Sequence, residues 1–454
     1  MTRRHMRIGS GLICILVLNG IPAVGQTFFA APADFGGRTG TGLFQADGGV
    51  VTRINTGFVE HNFPQVSRSG TVIAFSSPDP VEVALQVPPS SDIYVFSRIT
   101  GQTVRVVDHN TIIFNPGEVA SFTPVSAAVS PNNQLVAYGV VLTRRQGTAN
   151  PRSTRELNIA RVSDGLILDN PTFGRGPVSD AFQAEFVGIS WDPGGESLVT
   201  TTYVSLTSAM GQPIQLPAVV RYSRTPGTND WDISAILSTP QYLDNQFPPS
   251  ATTAIYPALS PSGAAVAYFE LFWPDALGSS QPVVARIITA NADGSNARTL
   301  FTFNQGFYPA GLSWSPDGTQ LAVAFSNQLS IGTGFLPSAE IASSVIRQVS
   351  TETGQMTSMP GVDTGLFPSW NRSSSSGSIT NARLAMVPAA NGGFRLIASG
   401  LVPGETYLLQ SSSDLDPGGF GSPQSLTGEQ LMSGINVAPL TSDRFFRLIN
   451  PSSR

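Results

Sequence analysis

The sequence predicts an all-β chain: a six-bladed β-propeller closed by N- and C-terminal half-blades, followed by a small β-sandwich domain. Three observations predict it. A turn of the form Ser/Trp-x-Pro-x-Gly, followed by an apolar run, recurs five times. Incomplete copies of the same unit stand at both ends of the repeated region. Beyond a serine-rich stretch at 373–377 the pattern changes to short alternating segments.

The five turns read Ser67-Arg68-Ser69-Gly70, Ser130-Pro131-Asn132-Asn133, Asp192-Pro193-Gly194-Gly195, Ser260-Pro261-Ser262-Gly263 and Ser315-Pro316-Asp317-Gly318. With Arg68, Pro131, Pro193, Pro261 and Pro316 as a reference column, successive copies lie 63, 62, 68 and 55 residues apart. Two places on stand Gly70, Asn133, Gly195, Gly263 and Gly318, residue types that tolerate positive φ in a tight turn. Six places on come Ala74, Ala137, Val199, Ala267 and Ala322, and at seven Phe75, Tyr138, Thr200, Tyr268 and Val323. Small beside large in every copy suits a wedge-shaped sheet fanned about an axis, where room is least near the centre.

Each turn leads into a nearly continuous apolar strand, such as 71–75, 135–138, 264–268 or 321–325, whose two faces must both be covered. Alternating β-rich runs follow at 92–96, 156–160, 218–222, 283–290 and 344–349, each trailed by one more strand after turns such as Thr100-Gly101-Gln102 or Ala292-Asp293-Gly294-Ser295. The unit is a four-stranded meander of about 60 residues, longer than propeller repeats of roughly 40 to 50 residues and therefore rich in long loops. Stacking such sheets side by side covers their faces, and closing them into a ring removes the free ends. For the sixth blade, Leu366-Phe367-Pro368-Ser369-Trp370 resembles an innermost strand, 56 residues beyond Pro316 when Arg372 is aligned. Residues 42–54 look like an outer hairpin lacking its inner partner. The two half-blades are expected to meet.

These residues resemble a known repeat. Trp314-Ser315-Pro316-Asp317-Gly318 with Gln320 to Phe325, and the later run Ala290 to Leu300, are similar to the PD40, or WD40-like, repeat of TolB-like propellers. The resemblance covers roughly residues 40–372 and implies the fold. It implies little about activity, because this repeat serves translocation scaffolds, peptidase propellers and polysaccharide lyases alike. Periplasmic TolB carries an α/β domain ahead of its propeller for which this chain leaves no room, so the Tol role is not carried over.

Arg3, Arg4 and Arg7 precede an apolar stretch from Ile8 to Val24, and Ala23-Val24-Gly25 supplies small residues for cleavage before Gln26. Residues 1–25 thus read as a bacterial export signal, placing the mature chain in the periplasm, at the cell surface or outside the cell, with no stable membrane insertion after cleavage. A retained anchor is the alternative, although Gly20 and Pro22 interrupt a stretch already short for a span. The single cysteine, Cys14, lies inside this segment, so the mature chain is expected to lack disulfides, thiol nucleophiles and Cys-bound metals.

All 25 basic residues are arginine, and removing the three in the leader leaves 22 against 30 acidic residues, a charge of −8. No basic stripe offers itself to nucleic acid, and without lysine neither a Schiff base nor a Walker-type phosphate site can form. Only His61 and His109 remain outside the leader, which excludes a three-histidine metal site, and no Gly-x-Ser-x-Gly elbow occurs. Asp79/Glu82, Asp230/Asp232 and Asp414/Asp416 could each present two carboxylates to Ca²⁺. None has the oxygen-rich spacing of a dedicated loop, so they read as solvated turn residues. No metal, cofactor or catalytic residue is expected.

A more suggestive feature is aromatic. Phe63, Phe122, Phe186, Tyr256, Tyr308 and Phe367 each stand just ahead of an innermost strand, and His61 immediately precedes the first. Such positions either form an apolar stacking collar at one channel mouth, able to bind a peptide or sugar, or plug the ring between blades.

Residues 26–372 are therefore assigned to the propeller, 373–380 to a linker, and 381–454 to the sandwich. Within the last, Gly400 to Tyr407, Leu409 to Leu415 and Phe445 to Leu448 resemble a fibronectin-III-like module of secreted bacterial proteins. The functional expectation is an exported non-catalytic binding or scaffold protein that recognises a protein, peptide or glycan through one propeller face. The alternative is a propeller hydrolase or polysaccharide lyase using His61 or His109. Whether those two histidines face the channel beside carboxylates or arginine separates the readings.

Overall fold

In the computed structural model of the chain, the described residues of the first compact unit are 26–78, 91–109, 119–144, 152–172, 186–244, 248–275, 284–303, 308–326 and 344–370, apart from 35–38, 48, 209–210 and 212. Elsewhere they are 5–8, 11–14, 383–388, 394–399, 406–412, 424–433, 435–437 and 445–449. The Asp79/Glu82 and Asp414/Asp416 pairs, most of the leader and the 373–380 linker lie outside the described residues.

The recurring turn is a local solution to two problems, reversing the chain and packing on the next sheet. Its first residue uses a side-chain oxygen to accept the backbone N–H five places on: Ser67 from Val72 at 3.2 Å, Ser130 from Leu135 at 2.9 Å, Asp192 from Ser197 at 2.8 Å, Ser260 from Ala265 at 3.1 Å and Ser315 from Gln320 at 2.9 Å. Its fourth residue has φ between 60° and 77° in all five copies. A Cβ on Gly263 would stand 2.7 Å from Pro193 of the preceding blade, so the turn of one sheet seats against the proline of the last.

In chain order, His5–Ile8 (β1) and Gly11–Cys14 (β2) pair as a hairpin. Thr27–Asp34 (β3), Thr39–Asp47 (β4) and Val50–Ile54 (β5) are the outer strands of blade 6. Blade 1 is Asn62–Val66 (β6), Val72–Pro78 (β7), Ser91–Ser97 (β8) and Thr103–Val107 (β9). Blade 2 is Val119–Val129 (β10), Leu135–Arg144 (β11), Arg152–Arg161 (β12) and Ile167–Asp169 (β13), and blade 3 is Ser190–Trp191 (β14), Ser197–Thr207 (β15), Pro213–Arg224 (β16) and Trp231–Ile236 (β17). Blade 4 adds a short strand, Gln241–Leu243 (β18), to Ser250–Leu259 (β19), Ala265–Trp273 (β20), Val284–Asn291 (β21) and Arg298–Phe303 (β22). Blade 5 is Tyr308–Trp314 (β23), Gln320–Ser326 (β24), Ser344–Ser350 (β25) and Met356–Ser358 (β26). Leu366–Trp370 (β27) then pairs antiparallel with β3, Trp370 opposite Thr27, completing blade 6 from both ends of the repeated region. The half-blades meet as expected. The early residues supply three strands, and β3 rather than the 42–54 hairpin touches the late one.

The small and large columns face opposite neighbours. Tyr138 of blade 2 packs in one buried cluster with Ala74 of blade 1, Tyr268 of blade 4 with Val199 of blade 3, and Val323 of blade 5 with Ala267 of blade 4. At each of these three seams a larger side chain of the following blade packs against a smaller one of its predecessor, whereas blade 3 holds only Thr200 in the large column. Between blades 6 and 1 both partners are large, and the rings of Phe28, Phe75, Tyr94 and Phe96 fill that seam.

The innermost strands are edge strands facing the axis, so their outward N–H groups need partners across the seam. Three serines supply them: Ser369 accepts from Val66 N at 2.9 Å, Ser190 from Leu259 N at 3.0 Å and Ser313 from Trp370 N at 2.9 Å. Where that column holds alanine, its backbone carbonyl accepts from the following blade instead, the Trp191 indole donating to the Ala128 carbonyl and the Trp314 indole to that of Ala258, both at 2.9 Å.

Among its described residues the second unit, 1–24 with 373–454, holds the β1–β2 hairpin and two three-stranded sheets. Arg383–Pro388 (β28), Phe394–Ser399 (β29) and Ile435–Val437 (β32) form one, and Gln424–Thr427 (β31), Thr406–Ser412 (β30) and Phe445–Ile449 (β33) the other. The helix among the described residues, Gly428–Ser433 (α1), opens on a capping box in which Thr427 Oγ1 accepts from Gln430 N at 3.2 Å and Gln430 Oε1 from Thr427 N at 2.9 Å.

Replacing Ser369 with alanine leaves the buried Val66 N–H unpaired. We expect Ser369→Ala to cost about 1 to 3 kcal/mol in urea denaturation, against under about 0.5 kcal/mol for the exposed Ser205→Ala.

Candidate functional site

The two faces of the propeller differ. In blades 1 to 5 the turns after the first and third strands of each meander span five or six residues and lie on one side, the turn face. On the opposite side, the loop face, successive strand ends are separated by four to twenty residues of sequence. Strands reaching the loop face are longest in blades 2 to 4, with 10, 11 and 9 residues in β11, β15 and β20 against 7 in β7 and β24. Long loops on a rigid scaffold are where binding groups gather.

At the loop-face end of the axis each blade contributes one position to a ring: Phe63, Ser126, Gly188, Tyr256, Gly311 and Phe367 in blade order. These residues line a small opening, together with Pro64, Gln65, Ala127, Pro257, Leu312 and Pro368. The ring carries three aromatic and three small residues because six large side chains cannot converge on one axis. A Cβ on Gly188 would stand 2.8 Å from the Tyr256 backbone, and one on Gly311 would stand 2.9 Å from that of Phe367.

The ring coincides with a bulge in the innermost strands of blades 1, 2, 4, 5 and 6. Phe63, Tyr256 and Phe367 have φ of 52°, 52° and 51°, a left-handed conformation uncommon for a bulky residue. Each precedes a proline, which steers its predecessor to extended backbone, so the surrounding bulge holds the conformer against local preference. The rings of Phe63 and Phe367 meet at 4.4 Å, while Tyr256 comes from blade 4 across the axis. Tyr256 and Phe367 are buried and Phe63 is half-buried, so these three positions combine features of a collar and a plug.

The other expected collar residues lie elsewhere or are described in part. Phe122 packs between blades 1 and 2, its ring 6.5 Å from Tyr138. Phe186 is fully buried between blades 2 and 3, where a Cβ on Gly139 would strike it. Phe122 stands in β10 and Phe186, at φ 58°, in the turn before β14, both ahead of the ring position, which their blades fill with Ser126 and Gly188. Tyr308 opens β23 opposite Ser326, and its side chain lies outside the described residues.

His61 sits in the seam between blades 6 and 1, 1% exposed, not on the axis. Its Nδ1 donates to the Thr41 carbonyl at 2.8 Å, its Nε2 accepts from Thr56 Oγ1 at 2.5 Å, and Phe75 lies 4.8 Å away. Those partners suit a neutral imidazole, and burial, aided by Arg53, lowers its pKa to about 4. His109 lies two residues beyond blade 1's outer strand. Its Nδ1 lies 2.7 Å from Asp92 Oδ1, and Asp92 also takes Arg105 at 3.2 Å and the Tyr94 hydroxyl at 3.4 Å. Asp92, Asp108 and His109 bring ligand atoms within 4.8 Å of one another, but Arg105 already bridges both carboxylates, so a cation there would meet a guanidinium. The two histidines therefore occupy separate places, neither lining the axial opening. Asp230 and Asp232 are exposed on blade 3, and Asp169 across the seam accepts from Trp231 N at 2.8 Å.

A second opening lies at the turn-face end of the axis, lined by Arg68, Pro131, Asp192, Pro193 and Pro261 of the turns and by Gln65, which reaches both openings. No helix among the described residues is long and apolar enough to cross a membrane, which says nothing of strands.

Two outcomes are expected. Gly188→Ala imposes a positive φ on a side chain that also meets the Tyr256 backbone, and should cost more than about 1 kcal/mol in thermal denaturation. For His61 the unfolded chain binds a proton near its ordinary pKa of 6.5 and the folded chain only near 4. Stability should therefore fall as pH drops through that window, by about 3 kcal/mol in all. His61→Gln should show a correspondingly shallower decline in melting temperature, and equal slopes would refute this.

No protein-family model matches the chain, and no curated protein does. Among solved structures it is similar to TolB from Acinetobacter baumannii, at 14% identity and a TM-score of 0.43, covering 76% of this chain and 66% of that one. It is also similar to a protein of Agrobacterium tumefaciens provisionally named TolB, at 10% identity and 0.38, covering 75% and 90%. An oligogalacturonate lyase in complex with manganese matches at 15% identity and 0.32, covering 74% and 73%. The chain is all-β in its described strands, and its first unit is a six-bladed propeller.

Proposed function

We propose that this chain is an exported, non-catalytic propeller that binds a protein, peptide or glycan through its loop face. The observation that carries the reading is the asymmetry of the disc. Long connections, the tallest strands and the ring of Phe63, Tyr256 and Phe367 gather at one face, while the other is built from turns of two to six residues. Export rests on the Arg-headed apolar leader of residues 1–25. A serine-rich segment and a small β-domain beyond the propeller suit attachment or sorting of an exported protein.

Chemistry supports binding over catalysis. His61 is sealed in a seam with both ring nitrogens engaged, and His109 is held by a carboxylate that an arginine also occupies. Neither stands where a ligand in the axial opening could exchange a proton with it.

Glycan and peptide arrays probed with the purified full-length chain test the reading. Binding should weaken by about fivefold or more in Phe63→Ala, whose ring is half-buried, and stay unchanged in Ala264→Arg, which puts bulk and charge on the turn face. Binding lost only in the turn-face variant would reverse the assignment of faces. Turnover of a polysaccharide or ester that vanishes in His109→Ala would replace the binding reading with a catalytic one.

A further inference from the structure

Resting on the export reading but going beyond it, we infer that Gln26 is a modification site which the fold withholds. It heads the mature chain as an uncyclised glutamine, because its pinned side chain keeps it from closing to pyroglutamate. Removal of residues 1–25 leaves Gln26 first. An N-terminal glutamine is chemically unstable. Its own α-amine attacks the side-chain carbon Cδ, a C–N bond forms to give a lactam, and the Cδ–Nε2 bond breaks. Ammonia leaves with the proton that the amine loses, so no other reactant is needed. What the reaction does need is a carboxamide able to turn onto its own amine.

Both ends of that carboxamide are engaged. Its Nε2 donates to Asp47 Oδ2 at 2.9 Å, and its Oε1 accepts from Arg98 Nη2 at 3.1 Å. A carboxylate only accepts and a guanidinium only donates, so the two partners hold the amide in one orientation. The residue is 8% exposed, and Thr27, Phe28, Phe29 and Ala30 after it are buried in β3.

The partners are themselves fixed. Arg98, in the turn after β8, also donates to the Gly70 carbonyl at 2.6 Å and to Gln45 Oε1 at 3.0 Å. Its guanidinium lies 4.8 Å from the centre of the Phe28 ring. Asp47 closes β4. Gln26 thus ties blade 6 to blade 1 at the seam where the ring is sealed. Turning the amide loosens that tie, and lactam formation removes the Nε2 donor that Asp47 uses. Cyclisation and ring closure therefore compete for one side chain.

Intact-mass and N-terminal peptide mass spectrometry on the chain exported from a bacterial host test this. The first residue should be Gln26 with its ammonia retained. On incubation the folded chain should lose ammonia at least about tenfold more slowly than the same chain in guanidinium chloride, the protection expected when two hydrogen bonds must open first. Asp47→Ala, which removes one of the two, should fall between these rates. Should that variant fail to fold, the folded and denatured rates of the unaltered chain still decide. Equal rates in those two states, or a chain that arrives already cyclised, overturn the inference. A first residue other than Gln26 overturns it as well and leaves export standing, whereas a leader that stays attached removes both. Loop-face binding is decided separately by the arrays.

Discussion

The structure depends on what one blade offers the next. A β-meander of this length is apolar on both faces, and each sheet solves the problem by pressing a large residue into the gap above a small one on its predecessor, Tyr138 over Ala74 and Val323 over Ala267. This contact is local to a pair of sheets yet is satisfied everywhere only when the series returns to its start. The inner hydrogen bonds obey the same condition. Val66 N finds its acceptor on Ser369, a partner 303 residues away, so the first full blade is tied to the propeller's last strand.

Much of this was legible because the repeated turn carries its reasons in its residue types. Serine or aspartate accepts the N–H five places on, and glycine or asparagine takes the left-handed conformation. The meander, its boundaries and the meeting of half-blades followed. What escaped was β3. Thr27-Phe28-Phe29-Ala30 has no Pro-Gly turn before it, since in that blade the first and second strands are not joined through a turn at all. It also breaks the small-then-large rule, because Phe28 faces a seam filled by other rings.

The site was less legible, for a related reason. The sequence showed aromatic residues ahead of every inner strand, but bulges shift the frame between blades, and only the coordinates show which residue reaches the axis. Blades 2 and 3 spend their phenylalanines on seam packing and give Ser126 and Gly188 to the ring. The useful signal was the count back from the inner-strand residues Val66, Val129, Trp191, Leu259, Trp314 and Trp370. Three places before each stands the ring residue, aromatic or small. Histidine position was not readable either, because burial between sheets leaves no mark on the residues adjoining His61.

The pairing of Thr27 with Trp370 has a mechanical consequence. Both ends of the propeller leave side by side from antiparallel neighbours, on the side of the short turns. Tension applied between them therefore loads the closing pair in a peeling geometry, so that its bonds break one after another from that margin inward. A load borne through one end alone leaves the clasp unstressed, and the disc is mechanically sturdiest when tethered from a single terminus.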